Sequence, residues 1–150
     1  MSDNRKKLKS IILSVILVTL AFAGGILYIF TKEFTDITKE KVDYTINAFD
    51  LINEFKNNDS FANKKYAEKI ITVTGLVTEV ESADTTVNIK MADTTSGSYA
   101  IFAFQQQNLT EAKAIKEGDK VSIKGSCSGG AYSQILETEF ITFKRCALTK

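Results

Sequence analysis

Five polar residues, two cysteines and two pairs of carboxylates are the places where this chain could do chemistry. Asn88, Lys90, Tyr99, Lys124 and Tyr132 combine amide, cation and aromatic groups. Displayed together on strands, such groups hydrogen-bond a ligand, neutralise phosphate or stack on a base. Cys127 and Cys146 can form a disulfide or remain as small buried apolar groups. Glu79 with Glu81, and Glu137 with Glu139, alternate along strand-like stretches, so each pair shares a face. Alternate carboxylates can hold a cation or move protons; the plainer reading is a solvated face. The chain has no His, which removes the commonest general base and the commonest metal ligand. There is no Cys-x-x-Cys and no Gly-rich phosphate loop, and Asp93-Thr94-Thr95-Ser96-Gly97 lacks the acids of a calcium loop. No catalytic residue, metal site or cofactor is expected.

The elements that must position these residues can be read from apolar spacing. Ala48, Leu51, Ile52 and Phe55 recur at i, i+3, i+4 and i+7, one apolar face of a short helix. Asn47 is placed to cap it, with Asp50 three residues on, and Asn57-Asn58-Asp59 ends it. Ser60 is placed to cap a second helical turn carrying Phe61, Ala62 and Tyr66. From Lys69 to Val80 the residues are dense in β-branched types, a long first strand with Gly75 in its middle. A strand-interior glycine reads as a bulge or bend. Val87, Ile89 and Met91 alternate with Asn88 and Lys90 in a second strand. Asp93 to Gly97 is a turn, and Ser98 to Phe104 a third strand. Leu109 to Glu117 reads as a helix, with Asn108 and Glu111 as cap pair and Gly118 as stop. Val121 and Ile123 lie in a fourth strand that Cys127 ends, Gly125 to Gly130 leads into a loop, and the last strand falls between Glu139 and Leu148. Its two faces separate cleanly only with a bulge near Lys144. A helix between the third and fourth of five strands is the order of an OB-fold barrel. The fold class expected is therefore all-β with short helices.

The N-terminal segment says where that domain works. Arg5, Lys6, Lys7 and Lys9 precede an uncharged run, Ser10 to Thr31. About twenty helical residues cover the ~30 Å hydrocarbon core of a bilayer. The expected organisation is a basic cytoplasmic flank (1–9), a transmembrane anchor (10–31), a solvated helical stalk (32–46) and an OB-fold domain (47–150). The excess of basic residues before the run places the N-terminus in the cytoplasm and the domain outside it, in the bacterial envelope at the inner membrane. Ala21-Phe22-Ala23 resembles a signal-peptide cleavage site, but the apolar run continues beyond it, which favours an uncleaved anchor. The lipid bilayer is thus one expected partner.

Charge argues about the other partners. Residues 1–30 hold four of the 19 Lys and Arg and one of the 18 Asp and Glu. That leaves 15 basic residues against 17 acidic ones in residues 31–150. Proteins that neutralise phosphates usually carry a basic surplus. An envelope protein or a small ligand is the expected partner, and nucleic acid is the second reading.

Several stretches resemble the tRNA-anticodon-binding-like OB-fold family of small bacterial proteins. They are Ala48-Phe49-Asp50-Leu51-Ile52, Ala62-Asn63-Lys64-Lys65-Tyr66 with Lys69, and Val73-Thr74-Gly75-Leu76-Val77. Gly118-Asp119-Lys120-Val121-Ser122-Ile123-Lys124-Gly125, Cys127 with Gly129, and the final Cys146 complete the likeness. It spans roughly residues 44–149. It implies a barrel related to nucleic-acid binders and brings no catalytic residues. The 18 residues between the two cysteines are longer than the family suggests, so a long loop is expected there. If the fourth and fifth strands place Cys127 opposite Cys146, a disulfide outside the cytoplasm would add about 3 kcal/mol.

Overall fold

The computed structural model describes residues 14–26 and 36–149. Two units separate at Thr35 and Asp36. In the first, residues 14–26 form helix α1, on which Val15, Leu17, Val18, Leu20 and Phe22 are exposed. At about 1.5 Å per residue the thirteen described residues cover roughly 20 Å. Among the described residues no helix is long and apolar enough to cross a membrane. The expected basic flank 1–9, the parts 10–13 and 27–31 of the expected anchor, and residues 32–35 of the expected stalk lie outside the described residues.

The second unit is mostly β. Its strands are β1 (Tyr44–Asn47), β2 (Ile70–Leu76), β3 (Glu79–Ser82), β4 (Val87–Ala92), β5 (Tyr99–Phe104), β6 (Lys120–Ser133) and β7 (Thr138–Leu148). Its helices are α2 (Ala48–Asn57), α3 (Asp59–Tyr66) and α4 (Leu109–Lys113). The strands form one seven-stranded sheet in the order β1-β2-β6-β7-β5-β4-β3. β1–β2 and β5–β7 pair in parallel, the other neighbours antiparallel.

The expectation of a five-stranded closed barrel is corrected. The long first strand is divided at Val77-Thr78, where Val77 N–H donates to Asp119 C=O and Thr78 N–H to Lys90 C=O. Before the division the chain pairs with β6, and after it with β4. A two-residue link therefore joins strands near opposite ends of the sheet order. No ladder connects β3 to β2 or β1, so the sheet is not closed into a barrel. Gly75 is not the bend. It sits in regular register with Val121, and a Cβ there would come within 2.8 Å of Ala48 Cβ and 2.9 Å of Met91 Sδ. Glycine is needed there because helix α2 lies directly on the strand.

Ile71, Val73, Ile89, Phe102, Ile123 and Phe143 face inward, covered by Leu51, Ile52 and Phe55 of α2. Phe102 and Phe143 stack with centroids 4.8 Å apart. Each such side chain contributes about 1.5–3 kcal/mol through burial. The expected Asn47 cap is present, with its Oδ1 accepting from Phe49 N–H at 2.9 Å. Helix α3 is capped by Asn58 rather than Ser60, Oδ1 accepting from Phe61 N–H at 2.9 Å. The helix expected over Leu109–Glu117 ends at Lys113. Asn108 makes no side-chain cap to it; its Nδ2 donates to Cys146 C=O at 3.2 Å.

Residues 36–46 are not a solvated helical stalk. Ile37–Lys39 form a single 3-10 turn capped by Asp36, and Tyr44–Asn47 add strand β1 beside β2. Ile37 is 0% exposed, packed with Ile70 and Ala147. An arm lying across a sheet needs only one anchor residue, not the repeating apolar stripe of a helix.

The fourth strand does not end at Cys127 either, since β6 runs on through Gly129 and Gly130 to Ser133. The 18 residues between the cysteines are therefore the paired ends of β6 and β7 and their turn. Asn63 of α3 grips this stretch, donating from Nδ2 to Gly130 C=O at 2.8 Å and accepting Gly130 N–H at 2.9 Å. The bulge expected near Lys144 exists. Phe102 and Phe104 of β5 face Phe143 and Cys146, so β7 carries an extra residue. Arg145, inside that step, adopts φ 54°.

Candidate functional site

Strands β3, β4 and β5 bring three of the five expected residues together. Alternation turns Val87, Ile89 and Met91 inward and leaves Asn88 and Lys90 on the outer face. Lys90 pairs across to Glu79 on one side and Ile101 on the other. Its Nζ donates to Glu81 Oε1 at 2.6 Å and to Glu79 Oε2 at 3.0 Å. These two carboxylates, Glu81 first, raise the pKa of Lys90, and Lys90 lowers that of Glu81. The Glu79/Glu81 pair thus has a cationic partner of its own chain. Lys90 also lies 5.6 Å from the ring centroid of Tyr99, which stacks on Phe140 at 6.4 Å and 26°. Asn88, half-buried, sits opposite Glu81 and Ala103. The face offers an aromatic pair and an amide, but its lysine is already neutralised.

Lys124 and Tyr132 do not join that face. Lys124 is 7% exposed, and its Nζ donates to the backbone oxygens of Thr38 and Glu40. It fastens the 36–40 arm, a role that Arg145 shares by donating to Glu40 Oε1 at 3.1 Å. Tyr132, exposed, lies at the far end of β6 opposite Glu139.

The cysteines are two free, fully buried thiols, not a disulfide. The register explains the correction. Cys127 faces Phe143, while Cys146 lies beyond the bulge, paired to Phe104 of β5. A Cβ on Gly125 would come within 2.7 Å of Cys146 Sγ, so the thiol fills the space that this glycine leaves. Burial pushes the Cys127 thiol up to about 11 and raises that of Cys146 for the same reason. Protonated thiols are poor nucleophiles.

A second polar site escaped the sequence reading. Lys56, Ser96, Ser98, Tyr132, Glu137 and Glu139 line a recess of ≈ 160 Å³. Asp93 organises one wall. It accepts from Thr95 N–H at 3.0 Å and from Ser96 Oγ–H, and meets Lys56 Nζ at 3.4 Å. Ser96 foremost, then Thr95 and Lys56, hold its carboxyl down at about 2. Glu139 is 6% exposed, and its Oε2 is buried with no hydrogen-bond partner among the described residues. Desolvation, reinforced by Asp59, raises its pKa. The sequence signal was its phase: Glu139, Ile141 and Phe143 are spaced by two, so a carboxylate shares the inward face of the strand. Among the described residues no group of three or more His, Cys, Asp or Glu could hold a metal ion.

The molecule is thus a small mixed β domain with an outer aromatic–amide face and a separate acidic recess. The chain belongs to the tRNA_anti-like family, whose model matches residues 1–138. The match includes the N-terminal segment and ends at the start of β7. Among solved structures, the chain is similar to a lipoprotein of Klebsiella pneumoniae subsp. pneumoniae that is named for nucleic-acid binding. That likeness covers 70% of this chain and 91% of the other, at 18% identity and a TM-score of 0.56, and concerns the fold. A protein of Leishmania major Friedlin named as an aspartyl-tRNA synthetase aligns over 79% of this chain and 22% of its own, at 7% identity and a TM-score of 0.41. No curated protein sequence matches the chain.

Proposed function

We propose that this chain is a non-catalytic binding module of OB-fold type, tethered to the bacterial inner membrane by residues 10–31 with its domain on the extracytoplasmic side. Its ligand is a protein or small molecule of the envelope. The observation that carries this reading is Lys90. On the face where an OB-type domain would meet a nucleic-acid backbone, the one lysine donates to two carboxylates. Phosphate would have to displace both of them, against local negative charge. Lys124, the other lysine expected there, is committed to backbone oxygens of the arm. The absence of His from the sequence and the raised pKa values of both thiols support a role without catalysis. The uncharged run Ser10 to Thr31 and the basic residues before it support the tether and its orientation.

The stacked Tyr99 and Phe140 give nucleic acid its one specific argument, because aromatic platforms accept bases of any sequence. Fluorescence anisotropy of the full chain in detergent with labelled single-stranded DNA and RNA decides between the readings. No binding at low salt is expected; binding that weakens steeply with added salt would replace the envelope-ligand reading. A reporter fused at the C-terminus should be active only when exported, and activity of a cytoplasmic reporter would overturn the orientation.

A further inference from the structure

The recess between α2 and the β6–β7 hairpin has a buried carboxylate with nothing to bind. Among the described residues Glu139 Oε2 has no hydrogen-bond partner, and Glu139 lines the recess with the exposed carboxylate Glu137. The one cation among the described lining residues, Lys56, is engaged by Asp93 at 3.4 Å. Asp59 adds a further negative charge near Glu139. Two recess carboxylates therefore lack a cationic partner, while Ser98 and Tyr132 supply neutral hydroxyls beside them. A cavity of ≈ 160 Å³ suits the head of a side chain rather than a nucleotide or a folded segment. Between Tyr132 and Glu137 the hairpin turn carries Ile135, 93% exposed, and Leu136, 63% exposed. Apolar side chains that stand this far into solvent beside a charged recess resemble the rim of an interaction site.

We propose that this recess accepts the ammonium or guanidinium group of a Lys or Arg on a partner polypeptide, whose neighbouring apolar residue rests on Ile135 and Leu136. The ligand's N–H groups donate to Glu139 Oε2 and to the Glu137 carboxylate, and its charge replaces the counter-ion that the recess lacks. Ser98 Oγ, which accepts Glu139 N–H at 3.1 Å, holds the strand in place behind the carboxylate. The proposal rests on the reading of the domain as a binding module and names the chemistry of its partner. It uses a surface separate from the Lys90 face.

The test is a titration of the isotope-labelled full chain in detergent micelles, followed by amide chemical shifts. The probes are ethylammonium chloride and the peptide N-acetyl-Leu-Lys-Leu-amide, each against sodium chloride at matched ionic strength. Saturable shifts at Ser96, Ser98, Tyr132 and Glu139 are expected for the peptide, with the peptide binding more tightly than ethylammonium. Glu139→Gln, nearly isosteric, should weaken both probes roughly tenfold through loss of a charge-assisted bond. Leu136→Ser, at an exposed position, should weaken the peptide and leave ethylammonium unchanged. Shifts that do not saturate, or that persist undiminished in Glu139→Gln, would overturn the site. Equal affinity for the two probes would overturn the polypeptide partner. Failure here, with no nucleic-acid binding, removes the recess alone; nucleic-acid binding at the Lys90 face with an active recess removes only the broader reading.

Discussion

Glu139 lines the recess and Asp93 holds two of its lining residues, Ser96 and Lys56, yet the two carboxyls titrate in opposite senses. Burial raises the Glu139 carboxyl above its ordinary 4.5. The folded protein then binds a proton more readily than the unfolded chain, so stability falls as pH rises through 4.5 toward the folded value. Asp93 is held at about 2 against an ordinary 3.8, by Ser96 first. Its contribution is complete above 3.8 and lost as pH falls from there toward 2. The two windows do not overlap, so urea midpoints measured across acid pH separate them. Glu139→Gln should abolish the decline above 4.5 and leave the acid limb intact. Asp93→Asn should shallow the acid limb below 3.8, to which the lowered carboxyls of Asp36 and Glu81 also contribute, and leave the upper decline. If each variant altered the opposite limb, the assignment of these two carboxyls would be wrong.

At the scale of elements, the join between α3 and β6 is held by glycines used for space rather than flexibility. Gly130 has no Cβ because one would lie 2.6 Å from the Phe55 ring, and Gly129 adopts φ 101° against Asn63. Gly130→Ala should therefore overpack the core and cost about 1–3 kcal/mol. Asn63→Ala leaves the Gly130 N–H and C=O unpaired and should cost about 1–3 kcal/mol as well. Both are measured by urea unfolding, and a loss below about 0.5 kcal/mol for either would mean that the clamp is only a surface contact. The same glycines show where the sequence was and was not legible. Local rules found the Asn47 cap, the alternation of Val87, Ile89 and Met91, and the extra residue near Lys144. They failed wherever a glycine answered a distant neighbour. Gly75 yields to Ala48 and Gly125 to Cys146, and neither contact leaves a mark in the adjacent sequence. Gly129 and Gly130 accordingly read as the way into a loop, when they continue β6, the longest strand among the described residues. The recess was hidden for a related reason: the phase of Glu139 with Ile141 and Phe143 puts it on the inward face, but only the register opposite Tyr132 shows what meets it there.

The whole molecule raises the question of where the folded domain begins, because polar composition alone made residues 32–46 look like a spacer. Ile37 is 0% exposed against Ile70 and Ala147. Asp43 adds two backbone links to Ile70, its N–H donating to Ile70 C=O at 2.8 Å and its Oδ2 accepting Ile70 N–H at 2.9 Å. The arm also supplies the oxygens that satisfy Lys124, a lysine that is 7% exposed. Removing the arm would therefore do more than expose one isoleucine. It would also break the hydrogen bonds of the Lys124 ammonium to the backbone oxygens of Thr38 and Glu40, a loss of about 1.5–3 kcal/mol for a charged group that regained hydration reduces. Burial of Ile37 contributes a further ~1.5–3 kcal/mol. Deleting residues 1–35 should leave a cooperative thermal transition, since those residues form a separate unit. Deleting residues 1–42 should lower the midpoint sharply, by roughly 10 °C or more if a 100-residue domain loses several kcal/mol. Equal midpoints for the two deletions would show that the arm merely rests on the sheet, and would return residues 36–42 to the role of a spacer.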